Sequence, residues 1–310
     1  MTIRLDMRRT VSKGSAALGD SVRMVKDFLG RQLMPDGGFR GRGECSDLYY
    51  TVFGLEASLS LGIDLARAHI NDYLTGFGAG PSLDFVHLTC LIRCRADMST
   101  LCSPAAPGWE KITPEGGGAT RPTMIERLLE YRSPDGGFNM TPGDKQGSAY
   151  GNFLALGACQ DLQIDVPDIG AVAQSTLSLR RSDGGFANEP AMTASVTTAT
   201  AAAICVLHYL KQSVPESAVN WLLDRAHPLG GFTAISFGAD HAIPDLLSTA
   251  TALHALSLIG ASTDDMRDKH LDYLDSLWSP QGGFRGHWAD DAVDCEYTYY
   301  GLLSLGSLAE

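Results

Sequence analysis

Two kinds of apolar segment alternate along the chain. In VRMVKDFLGRQLM (22–34), IERLLEYRS (125–133), VNWLLDRA (219–226) and MRDKHLDYLDSLW (266–278), apolar residues recur every three or four positions among charges. That is the pattern of a helix with one buried face. SAYGNFLALGAC (148–159), SVTTATAAAICVL (195–207) and STATALHALSLIG (248–260) carry almost no charge, the pattern of a helix buried all round. Between the two kinds stands a GGF triplet, ending at Phe39, Phe138, Phe186, Phe232 and Phe284, and then a polar loop. A degenerate copy, LTGFGAGPSLDFVHLTCLIRC (74–94), fills the one long gap. The chain therefore reads as six units of about fifty residues, each helix, GGF turn, polar loop, helix. Exposed and buried helices in alternation predict an all-α fold, an (α/α)6 barrel with an outer ring around an inner one.

The expected organisation is a single domain over 1–310, with repeats near 17–62, 63–98, 122–162, 168–211, 215–261 and 264–308. The Pro- and Gly-rich stretch SPAAPGWEKITPEGGGATRP predicts a loop insertion over 99–121. PDGGFRGRGECSDLYYTVFGLEASLSLG (35–62) and PQGGFRGHWADDAVDCEYTYYGLLSLG (280–306) share one plan at opposite ends of the chain, which suggests a repeat closing on itself. The inner helices are expected to open on Asp47, Asp84, Ser148, Ser195, Ser248 and Asp294, all good N-caps. The paired glycines supply a turn with positive φ, and the Phe is expected between the two helix layers.

Charge and composition narrow the classes. The formal charge is −12 and no Lys/Arg run stands out, which argues against a nucleic-acid partner. The charged N-terminus lacks the apolar run of a secretory signal. The most apolar stretch, TATAAAICVLHYL (198–210), is too short to span a bilayer. Seven cysteines at irregular spacing fit free thiols in a reducing, cytoplasmic setting.

Candidate chemistry gathers in the sixth, first and second inner helices. Each opens on Asp with Tyr or His three residues on: Asp294/Tyr297, Asp47/Tyr50 and Asp84/His87. Such pairs share a helix face. Three carboxylates near one rim would raise one another's pKa or hold a divalent cation, zinc or magnesium, on Asp47, Asp84, His87 and Asp294. The plainer alternative is that the aspartates only cap helices. Glu56 and Arg93 each lie nine residues after their opening Asp and are expected to pair across adjacent helices. Cys90 and Cys94, one turn apart, read as small core residues. Tyr49, Tyr50, Phe53, Phe85, Tyr150, Phe153, Trp288, Tyr299 and Tyr300 lie at or near inner-helix starts, either as an aromatic funnel for an apolar chain or as filling between the rings.

With these residues in place the chain resembles the prenyltransferase and squalene-cyclase repeat superfamily. The GGF turns and helix pairs carry the resemblance, as do DLYYTVFG (47–54) and DCEYTYYG (294–301), which look like the last repeats of a prenyltransferase β subunit. The resemblance implies a prenyltransferase-like enzyme acting on an isoprenoid, a prenyl diphosphate, in the barrel lumen. It leaves as alternatives class II terpene cyclase-like acid catalysis, a metal enzyme of another chemistry, and a non-catalytic toroid binding a lipid or protein. It also implies a partner subunit if the chain is a prenyltransferase. Asp47, Asp84, Asp294, Tyr50 and Tyr297 are then the catalytic candidates. Arg40, Arg42, Arg285 and His287, in the loops after GGF, with Trp288 and Tyr300, are the substrate-binding candidates. Arginine suits a diphosphate through paired charge-assisted hydrogen bonds, and rim salt bridges to Glu44, Asp290 and Asp291 are the competing use. Two departures stand out. The family's zinc set needs Asp, Cys and His where this chain has Asp245, Leu247 and Tyr297. In DLLSTA (245–250), Leu247 also occupies the place of the proton-donating Asp of the cyclase motif D-x-D-D-T-A.

Overall fold

The computed structural model describes residues 1–102, 120–235 and 242–309. Its thirteen α-helices are α1 (Ile3–Ala17), α2 (Val22–Gln32), α3 (Leu48–Ser60), α4 (Arg67–Thr75), α5 (Phe85–Cys102), α6 (Thr120–Leu129), α7 (Ala149–Leu162), α8 (Ile169–Ser178), α9 (Thr197–Tyr209), α10 (Glu216–Leu223), α11 (Leu246–Leu258), α12 (Arg267–Ser276) and α13 (Cys295–Ser307). From α3 onward the odd-numbered helices pack in sequence, α3 on α5 and so on to α13, and α13 returns to α3. They form the closed inner ring; α2, α4, α6, α8, α10 and α12 lie outside it. Part of the expected insertion is helical: α5 runs through Cys102 and α6 begins at Thr120. The rest of that loop, 103–119, lies outside the described residues. None of the described helices is long and apolar enough to cross a membrane.

The GGF turn joins the rings by one repeated device. Each Phe forms a short antiparallel bridge with the end of its outer helix, as in Leu33–Phe39 and Arg132–Phe138, and the five rings are at most 2% exposed. Each Phe N–H donates to a side chain four residues past the next inner-helix cap: Thr51, Asn152, Thr200, Thr249 and Thr298. The Phe ring rests where a small residue leaves room; a Cβ on Gly54 or Gly301 would stand 2.3 or 2.4 Å from Phe39 or Phe284. The first glycine of the triplet has positive φ, 93° at Gly230 and 96° at Gly282, and touches the next outer helix. A Cβ would reach 1.9 Å from Lys269 O at Gly230 and 2.2 Å from Met24 O at Gly282. The Gly282 contact lands on α2, so the last repeat seals against the first.

Two inner helices start elsewhere than expected. The fifth cap is Asp245, whose carboxylate accepts from Ser248 N at 2.8 Å; Ser248 is already inside the helix. The fourth cap is Val196, without a side-chain bond, while Ser195 Oγ donates to Asp183 at 2.6 Å.

Helix α1, outside the repeat pattern, crosses one end of the ring. Gly14 and Gly306 let it approach α13 so closely that a Cβ at either would fall within 2.0 Å of a carbonyl oxygen. Arg4, 7% exposed, bonds Asp97 at 2.6 Å and Asp161 at 2.7 Å. Arg8 reaches Asp97 at 2.9 Å, and Tyr209 donates to Asp6 at 2.7 Å. Those partners lie in the C-terminal part of α5 and at the ends of α7 and α9, so a polar helix is tied across the floor by buried ion pairs and a tyrosine hydroxyl.

Candidate functional site

The ring encloses a cavity of about 560 Å³, within the range of small-molecule sites. Its wall follows from helix periodicity. Positions two, six, nine and thirteen residues after each cap fall on one helix face, and counting from each cap sorts the lining into levels. The mouth level is Tyr49, Val86, Tyr150, Thr198 and Leu247, with Glu296 in the sixth place accepting from Tyr49 Oη at 2.6 Å. The next is Phe53, Cys90, Leu154, Ala202, Thr251 and Tyr300. The deep level holds Arg93, Gly157, Cys205, His254 and Leu303, with Glu56 behind Arg93. At the floor Asp161 meets Ile3, Arg4 and Met7 of α1. From mouth to floor the face spans roughly 16 Å at the helical rise.

The upper wall is apolar and aromatic. Phe53 stands edge-on to Tyr49 at 5.1 Å and lies 5.4 Å from Tyr300. Of the expected aromatic set, Tyr49, Phe53, Tyr150, Phe153 and Tyr300 line the lumen. Phe85 and Tyr299 are fully buried, Phe85 against Tyr131 at 4.7 Å. Trp288 is 42% exposed and bonds Ser276 outside the lumen.

The lower wall is charged but balanced. Arg93 grips Glu56 through Nε and through Nη2 at 2.7 Å, the pairing expected from their matched positions. Burial alone would raise Glu56, but the Arg93 guanidinium holds it below the ordinary carboxylate range. Burial pushes Asp161 up to about 6 against the pull of Arg4. Burial also drives His254 down to about 4, so its imidazole is neutral.

The rim aspartates have other partners. Asp294, 1% exposed, caps α13 through Tyr297 N at 2.8 Å and accepts from Arg42 Nε at 2.9 Å. Arg42 also bonds Asp290 at 2.7 Å and sits 5.4 Å from the Tyr297 ring centre. Burial raises Asp294 in spite of these bonds. Asp47 caps α3 through Tyr49 N at 2.7 Å, beside a shallow groove with Tyr50. Asp84 is largely exposed and pairs with His87 at 2.8 Å; the His87 bonds outweigh partial burial and hold it low. Asp47, Asp84, His87 and Asp294 are thus helix caps and their neighbours, not one cluster. Among the described residues, no three His, Cys, Asp or Glu side chains are grouped so that they could hold a metal ion. The family's zinc positions do not fit either. Asp245 is a cap, Leu247 is hydrocarbon in the lumen wall and Tyr297 lies under Arg42, and Leu offers no ligand atom.

Of the basic loop residues, Arg40 bonds Gln32 at 3.0 Å, Arg285 lies 3.8 Å from the exposed Asp291, and His287 accepts from Ala289 N at 3.2 Å. None of them lines the lumen. Sequence reasoning missed Asp161, His254 and α1. His254 was detectable, because it stands nine residues after Asp245 as Arg93 does after Asp84.

Closed ring and GGF turns together define an α/α toroid around a central cavity. The sequence profile of the prenyltransferase alpha-alpha toroid domain matches residues 76–233 and 193–310, and the chain belongs to that family. It is 27% identical over 200 residues to a drimenyl diphosphate synthase of Streptantibioticus cattleyicolor, a match covering 61% of this chain and 37% of that protein. The chain thus spans well under half the length of that relative. Protein geranylgeranyltransferase-I of Candida albicans, solved with GGPP, superposes with a TM-score of 0.64 at 15% identity, over 92% of this chain and 90% of that one. The type II terpene cyclase MstE of Scytonema, solved with merosterolic acid A, does so with a TM-score of 0.61 at 13% identity, over 95% and 97%. At such identities the two structures speak for the fold alone.

Proposed function

We propose that this chain is a prenyltransferase-like enzyme that holds the hydrocarbon tail of an isoprenoid, as a prenyl diphosphate, in its lumen and transforms it by carbocation chemistry. The observation that carries this reading is the aromatic-walled cavity, whose floor is lined by Ile3, Arg4 and Met7 of α1. Ring faces attract positive charge, so Tyr49, Phe53, Tyr150 and Tyr300 suit a cationic intermediate as well as a neutral chain. The diphosphate belongs at the rim, where Arg40, Arg285 and His287 are the donors less firmly held than Arg42. Zinc-dependent transfer is disfavoured by Leu247 and Tyr297. A cyclase-like variant of the same reading draws on Asp161 at the floor, which burial raises to about 6 against the pull of Arg4, toward the range of a general acid for a terminal alkene. The free thiols at Cys90, Cys94, Cys159 and Cys205 suit the reducing cytoplasm.

The test is calorimetric binding of farnesyl and geranylgeranyl diphosphate with product analysis, on the wild type and on Ala202→Phe, which fills the second level. Wild-type binding that falls at least tenfold in Ala202→Phe is expected, at about 1.4 kcal/mol per tenfold. No binding of either ligand, or equal binding by the folded variant, would overturn the proposal.

A further inference from the structure

The deep level of the lumen contains a polar group with nothing to do in the protein alone. His254 lines the cavity and is 6% exposed. Among the described residues, no group hydrogen-bonds to its ring nitrogens. Burying an imidazole unpartnered is unfavourable; the other deeply buried imidazole, His270, 1% exposed, has one nitrogen without a partner among the described residues but accepts from Gly231 N at 3.0 Å with the other and stacks on Phe232 at 5.1 Å.

A second group faces the same space. α5 and α11 stand opposite each other in the ring, and Arg93 and His254 occupy the same position on them, nine residues after their caps. Arg93 spends Nε and Nη2 on Glu56, with Met7 Sδ also on Nη2 at 3.6 Å. Its Nη1 has no partner among the described residues. The two are near enough for the Arg93 charge to bear on the imidazole.

The charge balance states what they can bind. Arg4, Arg8 and Arg93 are matched by Glu56, Asp97 and Asp161. Each guanidinium there is already paired with a carboxylate, so the deep end offers no unpaired cation to an anion such as a diphosphate. It offers an N–H donor on Arg93 and a ring that donates or accepts according to its tautomer. A hydroxyl suits each of them, since it can accept from Arg93 and donate to His254.

We propose that Arg93 and His254 form a binding site for an uncharged oxygen function at the buried end of the isoprenoid, so that the substrate carries a hydroxyl or related oxygen at the end remote from its head group. This rests on the isoprenoid reading and deepens it. The substrate then needs an oxidation at its tail before it enters this lumen.

The test compares farnesol with 12-hydroxyfarnesol, each also as its diphosphate, by calorimetry on the wild type and on His254→Leu. The wild type is expected to bind the 12-hydroxy member of a pair about tenfold more tightly, the effect of one or two buried hydrogen bonds. His254→Leu is expected to lose that preference while binding the plain member at least as well. Equal binding of the two members by the wild type, or a preference that survives in His254→Leu, overturns the site but leaves the isoprenoid reading standing. If none of the four ligands binds, the isoprenoid reading falls and the site with it. The wild-type comparison decides even if the variant folds poorly.

Discussion

His254 shows at the scale of one residue how burial becomes a pH dependence. Its pKa lies near 4 in the fold against about 6.5 in an unfolded chain. The unfolded state takes up the proton first, so the associated stability is present above pH 6.5 and lost as pH falls toward 4. Urea denaturation at pH 6.5 and 5 should show the wild type losing about 1–2 kcal/mol more than His254→Leu; equal losses would contradict a neutral buried imidazole. The same residue marks where the sequence became hard to read. Asp245 and Ser248 are both good caps, and starting the helix on Ser248 displaces every later position by three. In that register His254 no longer matches Arg93 and Glu56, and nothing singles it out. Asp47, Asp84 and Asp294 were read correctly as the starts of helices. Each of the three carboxylates accepts from the N-terminus of its own helix, a role the cap pattern in the sequence already offered.

Among the elements, the GGF turn was the most legible, because its glycines, Phe and following cap repeat together. Its chemistry is strict at the first glycine. Gly230→Ala adds a Cβ 1.9 Å from Lys269 O at a φ of 93° and should destabilise by about 2–4 kcal/mol. Gly43→Ala, with nothing within 4 Å of its Cβ, should change stability by less than about 0.5 kcal/mol. Urea midpoints of the two variants check the contrast, and similar values would refute the role given to the turn. α1 was the least legible element. It is charged and lies outside the repeats, and its burial depends on Asp97 and Asp161, which are remote in sequence and carry no local signal.

Over the whole molecule, α1 converts a ring with two openings into a cup. Arg4→Met would leave Asp97 and Asp161 without a shared cation and should cost about 3 kcal/mol at pH 7. Burial raises both carboxyls, to about 7 and about 6, so they neutralise readily in acid. The deficit relative to wild type should shrink between pH 7 and 5, and a deficit constant across that range in thermal melts would argue against the clamp. The ring is sealed by Gly282 on Met24, by Arg42 across to Asp290 and Asp294, and by Tyr49 on Glu296. That seam changes the boundary conditions of the repeat array. An open solenoid frays from its two terminal units, which need special capping sequences. Here each unit has a neighbour on both sides, so unfolding has no end at which to begin, and the weakest joint must open before any repeat can peel away.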